Sequence, residues 1–277
     1  MGSDLMRLEG WMLPLFVPAT RPERFAKAAA SGADAVIIDL EDAVAPEDKE
    51  CARNEVLRLN NLGLPTILRI NDRSTHWYIA DLKCAKTANL SAVLLPKVET
   101  ADDVHSVHLI TGHPIIALIE TIAALDYIEE IAQAPGLVQF ALGTMDLAAD
   151  LECAPDSRLM DVVRMDLLKY SARYDLAMPL DGVCLSIHDT DRLIAEARDI
   201  AHNGFGGRML IHPAQICPTA TGLMPSDAIL TEARKIAQSD GGSGSINGKM
   251  VDAPVRRSAW QLLCKAKKLE KTGFKTP

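Results

Sequence analysis

The chain has 277 residues, 48% of them hydrophobic and 4% aromatic, with 29 basic against 37 acidic side chains for a formal charge of −8. That length accommodates one large α/β domain or two modest ones, with a sizeable core filled mostly by aliphatic side chains. The acidic balance excludes nucleic acid as the main partner, but not an anionic small molecule held in a local cationic pocket.

The opening MGSDLMRLEG lacks the apolar h-region of a signal peptide. The first strand is LPLFVPA (13–19), followed by the amphipathic stretch RPERFAKAAASG; DAVIIDL (34–40) is the second, followed by PEDKECARNEVLRLNNLG. PTILRIN (65–71), SAVLLPK (91–97), PIIALIE (114–120), LVQFALG (137–143), PLDGVCL (179–185) and GRMLIHP (207–213) follow. Gly32, Gly63 and Gly204 stand where helices would end, as C-caps. Strands with continuous apolar character are covered on both faces, which marks a parallel sheet. Strand–helix units at this spacing predict a TIM-type (β/α)8 barrel over residues 11–222, with a doubly wound sheet as the alternative.

Beyond the eighth strand, residues 223–277 read as a helical C-terminal extension. It comprises SDAILTEARKIAQS, the spacer DGGSGSINGK and VDAPVRRSAWQLLCKAKKLEK. Gly241, Gly242 and Gly244 predict a flexible spacer, so that the last helix moves as a lid or arm. The cysteines, at 51, 84, 153, 184, 217 and 264, include no C-x-x-C pair, which predicts reduced thiols in a cytoplasmic protein. No apolar run approaches the roughly 20 residues of a membrane span.

In such a barrel the active site lies at the C-terminal ends of the strands. Those ends carry Asp39, Glu41 and Asp42, then Arg69 and Asn71, Lys97 and Glu99, Glu120 and Thr121, Asp146, and finally His212, Pro213 and Gln215. Glu120 and Asp146 follow from consecutive strands, so their carboxylates can converge. Carboxylates crowded in a partly dry site repel unless a cation joins them. Two hard oxygen ligands with open positions describe Mg²⁺; the alternative is that each acid caps a helix or pairs with a surface lysine. Asp42 and Glu47 fit a helix start better than a ligand set. Arg69, within the apolar run TILRIN, needs an anionic partner: a substrate, an internal ion pair with the acids of the second strand, or both. His212, beside a proline, reads as a hydrogen bonder that orients its loop.

The stretches LFVPATRPERFAKAAASGADAVIIDLEDAVAPEDK, LRIND, LLPKVE, ALIET, LGTMDLAADL and IHPAQI resemble, in the same order, the citrate lyase β-subunit-like acyl-CoA lyases of the HpcH/HpaI aldolase superfamily. The resemblance runs from about residue 13 to 260. It implies a (β/α)8 barrel with a C-terminal extension, with Glu120 and Asp146 as Mg²⁺ ligands (Mn²⁺ substituting) and Arg69 as the arginine that stabilises an enolate. It further implies that Phe16, Arg21 and Lys27 contact coenzyme A and that Pro213 and Ala214 wall the same site. GKMVDAPVRRSA resembles the C-terminal motif whose aspartate, here Asp252, reaches a neighbouring subunit's active site in a homotrimer or dimer of trimers. Many relatives read GAEDL where this chain has GTMDL, so Met145 replaces an acid beside the metal and bears on acyl selectivity.

The implied activity is cleavage of a 3-hydroxyacyl-CoA: (S)-citramalyl-CoA to pyruvate and acetyl-CoA, or malyl- or citryl-CoA. The alternatives are a citrate lyase subunit acting on a carrier-protein thioester, a metal-dependent aldolase for free hydroxy-oxo acids, and a non-catalytic CoA-binding protein.

Overall fold

The computed structural model describes residues 10–59, 61–239, 244–246 and 249–272. Its strands are β1 (Pro14–Pro18), β2 (Ala35–Asp39), β3 (Thr66–Arg69), β4 (Ala92–Leu95), β5 (Ile115–Ile119), β6 (Leu137–Leu142), β7 (Ala177–Asp181) and β8 (Gly207–Arg208). They pair in chain order, every neighbour parallel. Closure comes from the eighth strand segment meeting the first: the Phe16 N–H donates to the Leu210 carbonyl at 2.8 Å, and the Leu210 N–H to the Pro14 carbonyl at 2.9 Å. The molecule is therefore a TIM-type (β/α)8 barrel, and the doubly wound alternative falls.

The run 207–213 is shorter as a strand than its composition predicts. Only Gly207 and Arg208 pair with β7, after which the chain turns to the seam with β1. A Cβ on Gly207 would collide with the Met12 backbone, so the seam closes only around glycine.

Period-2 alternation sorts the strand residues into two layers. Val36, Ile38, Leu68, Val93, Leu95 and Ile119 point outward to the helices. Ile37, Ile67, Leu94, Ile116, Leu118 and Met209 fill the barrel interior. Continuing the inward set by two residues along β2, β3 and β5 gives Asp39, Arg69 and Glu120. The same alternation that buries isoleucine in the barrel thus aims these charged groups into its mouth.

After the barrel, the helix Asp227–Ala237 packs against the terminal helix Ala253–Lys271. Between them, within the spacer, Gly244–Ile246 (β9) and Lys249–Val251 (β10) pair antiparallel, a ribbon that the sequence reading did not include. Gly241 and Gly242 of the predicted flexible spacer lie outside the described residues. The late turns of the terminal helix close the barrel floor. Lys265 Nζ donates to the Phe205 carbonyl at 2.7 Å, and Lys268 Nζ donates to the Gly10 carbonyl. Among the described residues no helix is long and apolar enough to cross a membrane, and all six cysteines are free.

Candidate active site at the barrel mouth

A cavity of about 440 Å³ opens at the C-terminal ends of the strands, walled by Phe16, Asp39, Arg69, Glu120, Met145 and Asp146 among others. Arg69 anchors one side. Its Nε and Nη2 donate to Asp39 Oδ1 and Oδ2 at 2.7 and 2.6 Å. Nη1 faces Asp42 at 3.2 Å and Glu41 at 2.9 Å, and the Phe16 ring lies 4.9 Å beneath the guanidinium. Asp39 is itself fixed by the backbone N–H groups of Glu41 and Ala43. The internal ion pair anticipated for Arg69 is therefore present, and one edge of the guanidinium still borders the cavity. Asp42 belongs to this cluster, whereas Glu47 lies in the helical turn Pro46–Asp48, in keeping with a helix start.

Glu41 sits 2.9 Å from Arg69, but off the donor direction: its buried Oε2 accepts no hydrogen bond. Burial, reinforced by Asp42 and Asp39 and opposed by Arg69, raises its carboxyl to about 7. The loop bearing Glu41 is braced from behind. Lys49 Nζ donates to the carbonyls of Leu40 and Glu41 and to Asn71 Oδ1, each at 2.7 Å, and its ammonium lies over the Trp77 ring. Sequence reading passed over this buried lysine; its place just after the acidic loop was the only available hint.

Glu120 lines the same cavity. The Lys97 N–H donates to its Oε1 at 2.9 Å, an arrangement made by Lys97 adopting a left-handed φ of 47°. Its other oxygen runs against Gly143, where any Cβ would collide with the Glu120 side chain. Burial first, then Glu41 and Asp146, raises Glu120 to about 8. Asp146 projects from the first turn of the helix Thr144–Asp150 that follows β6.

These residues fit a hard divalent cation. Glu120 and Asp146 repel each other across open space, and the orphaned oxygen of Glu41 adds negative potential nearby. A bound cation would relieve all three. Among the described residues no group of three or more His, Cys, Asp or Glu side chains is placed to hold a metal ion together, so the protein offers the Glu120–Asp146 pair and no fuller ligand set. Two carboxylates with water in the remaining positions suit Mg²⁺, which dehydrates reluctantly.

Other residues singled out from sequence lie apart from this cavity. Arg21, Lys27, Pro213 and Ala214 are exposed, on the segments following β1 and β8, which adjoin across the seam. His212 accepts the Ala214 N–H on Nδ1 at 3.1 Å, orienting its loop as the sequence suggested. Asp252 is half-buried and caps the terminal helix, accepting the Val255 N–H at 3.1 Å. It does not line the mouth cavity of its own chain.

The mouth of a closed parallel barrel thus gathers the carboxylates of Glu120 and Asp146 and a carboxylate-clamped arginine around one cavity. Residues 13–213 match the family described as HpcH/HpaI aldolase/citrate lyase, and the chain belongs to that family. Among its relatives, a citrate lyase subunit beta-like protein of Mycobacterium tuberculosis is 39% identical, covering 93% of this chain and 95% of that one. A (3S)-malyl-CoA thioesterase of Cereibacter sphaeroides is 35% identical, over 91% and 93%. The crystal structure of protein CitE from M. tuberculosis in complex with magnesium, acetoacetate and coenzyme A matches with a TM-score of 0.82 at 35% identity, over 94% of this chain and 99% of that one.

Proposed function

We propose that the protein is a Mg²⁺-dependent carbon–carbon lyase that cleaves a 3-hydroxyacyl-CoA, with (S)-citramalyl-CoA as the assigned substrate and malyl- and citryl-CoA as its nearest alternatives. The observation that carries the reading is that Arg69, Glu120 and Asp146 line one cavity. Magnesium and coenzyme A in a relative of the same fold support it.

Glu120 and Asp146 would hold the metal, which supplies Lewis acidity toward the oxygens of the hydroxy-acid end. The substrate hydroxyl passes its proton to solvent water, the bond between the carbinol carbon and the thioester α-carbon breaks, and the electron pair passes to the thioester as an enolate. Arg69, already oriented by Asp39, meets that developing charge without reorganising; such preorganised donors are worth several kcal/mol. Asp252 from a neighbouring copy protonates the α-carbon and runs the reverse transfer in condensation. Arg21 and Lys27 on the exposed rim, with Pro213 and Ala214 across the seam, bind coenzyme A and hold the reacting end in place.

Thioester hydrolysis is a second reading, favoured by the malyl-CoA thioesterase relative. Purified protein with Mg²⁺ is assayed against citramalyl-, malyl- and citryl-CoA, with EDTA as control and products resolved by mass. The lyase releases a 2-oxo acid with acetyl-CoA, whereas the thioesterase releases free CoA thiol.

A further inference from the structure

Beside the mouth lies a larger side cavity of about 890 Å³, between the loop after β7 and the helices Arg158–Arg173 and Thr190–His202. Both cavities are lined by the same three residues: Thr144, Met145 and Val183. That triplet is the partition between them.

Two of the three cannot move aside. Thr144 is buried, and its side chain fills the space beside Gly182, where any Cβ would collide with it. Val183 is half-buried and β-branched, stiff about its first torsion. Met145 differs: it is 41% exposed, unbranched, with a polarizable thioether that adapts to irregular space. It also precedes Asp146, so it borders the part of the site where the hydroxy-acid end is held.

The far cavity offers no free cation to an anionic guest. Its three arginines are already paired: Arg164 and Arg208 meet Asp181 at 3.1 and 3.8 Å, and Arg208 and Arg192 meet Glu196 at 2.8 and 2.7 Å, while Asp156 and Asp199 add acidic groups to the lining. Its near wall is apolar, formed by Met145, Val183 and the exposed Leu185.

We infer that Met145 is the specificity-determining partition of the acyl site. It caps the space for the alkyl substituent on the carbinol carbon, and behind it the side cavity is room for a longer chain. This rests on the lyase reading above. Shortening the side chain merges the cavities and admits 2-oxo acid fragments with extended alkyl chains. A stiff side chain of similar volume keeps them closed.

The test runs condensation of acetyl-CoA with glyoxylate, pyruvate, 2-oxobutyrate and 2-oxovalerate in the presence of Mg²⁺, for wild type, Met145→Ala and Met145→Leu. Calorimetric titration of the same acids is a readout independent of turnover. Discrimination of one methylene by a filled pocket is commonly about tenfold or more. Met145→Ala is expected to raise the 2-oxobutyrate to pyruvate ratio of kcat/KM about tenfold, and to tighten 2-oxobutyrate and 2-oxovalerate relative to pyruvate in calorimetry. Met145→Leu is expected to keep the wild-type ratios. An active, folded Met145→Ala enzyme with unchanged ratios overturns the inference. If no protein condenses any of the acids, the lyase reading has failed, and the calorimetric ranking alone decides Met145: an unchanged ranking, or no binding, sinks the partition.

Discussion

Arg69 and Asp39 form a two-point pair, Nε to Oδ1 at 2.7 Å and Nη2 to Oδ2 at 2.6 Å, inside the mouth of the barrel. The pair uses the geometry of the guanidinium fork as well as its charge. A lysine ammonium is a point charge on a different stem and cannot span both carboxylate oxygens while also facing the cavity. Arg69→Lys is therefore expected to lose about 100-fold or more in kcat, with a smaller change in KM. A rise in KM alone would make Arg69 a ground-state binding residue. Asp39→Asn should show the same split, because it releases the clamp.

The metal assignment predicts that Glu120→Gln and Asp146→Asn each abolish turnover and weaken Mg²⁺ binding measured by calorimetry. Removing one anionic ligand leaves too few hard oxygens to hold a mostly hydrated cation. Normal metal affinity in either variant would overturn the assignment.

Gly143 supplies an independent test of the same wall. Its φ is ordinary, and what forbids a side chain is the Glu120 carboxylate pressed against it. Gly143→Ala should fold, yet bind Mg²⁺ about tenfold or more weakly, the range seen when residues supporting metal ligands are changed. An unaltered affinity would show that Glu120 can be displaced without cost to the metal.

The barrel was legible because its strands are apolar on both faces, and Arg69 stood out as a charge inside one such run. Alternation then carries Asp39, Arg69 and Glu120 inward, and that rule needs only the sequence. What stayed hidden depends on close approach between distant segments: Gly143 against Glu120, the left-handed Lys97 N–H on Glu120, and Lys49 beneath the acidic loop. None has a local pattern, since each is set by which strands become neighbours.

The floor of the barrel predicts a pH effect on stability. Burial lowers the Lys265 ammonium to about 8 from an ordinary value of 10.5. Between those values the unfolded chain binds more protons than the folded one, so this group's contribution to stability rises as pH rises through the window. At neutral pH its buried charge opposes folding. Lys265→Met should therefore gain stability relative to wild type at pH 7, and that advantage should shrink toward pH 10 in denaturant titrations. An advantage that grows with pH would contradict the assignment.

Asp252 caps its helix and does not line its own chain's mouth cavity, so its proposed proton transfer needs a second copy. Asp252→Asn should leave folding and Mg²⁺ affinity intact while abolishing exchange at the acyl α-carbon. Mixing inactive Asp252→Asn and Glu120→Gln proteins under subunit exchange should restore activity, because some interfaces join an intact metal site to an intact aspartate. Mixed oligomers that stay inactive would place Asp252 within its own chain's chemistry or outside catalysis.

The stoichiometry of citramalyl-CoA consumption tests the central claim most directly, with pyruvate, acetyl-CoA and free thiol measured in one reaction under Mg²⁺. Carbon–carbon cleavage at the Arg69 and Glu120–Asp146 site predicts pyruvate and acetyl-CoA in equal amounts, no free thiol, and silence on adding EDTA. Free thiol in step with substrate loss, without pyruvate, would contradict it.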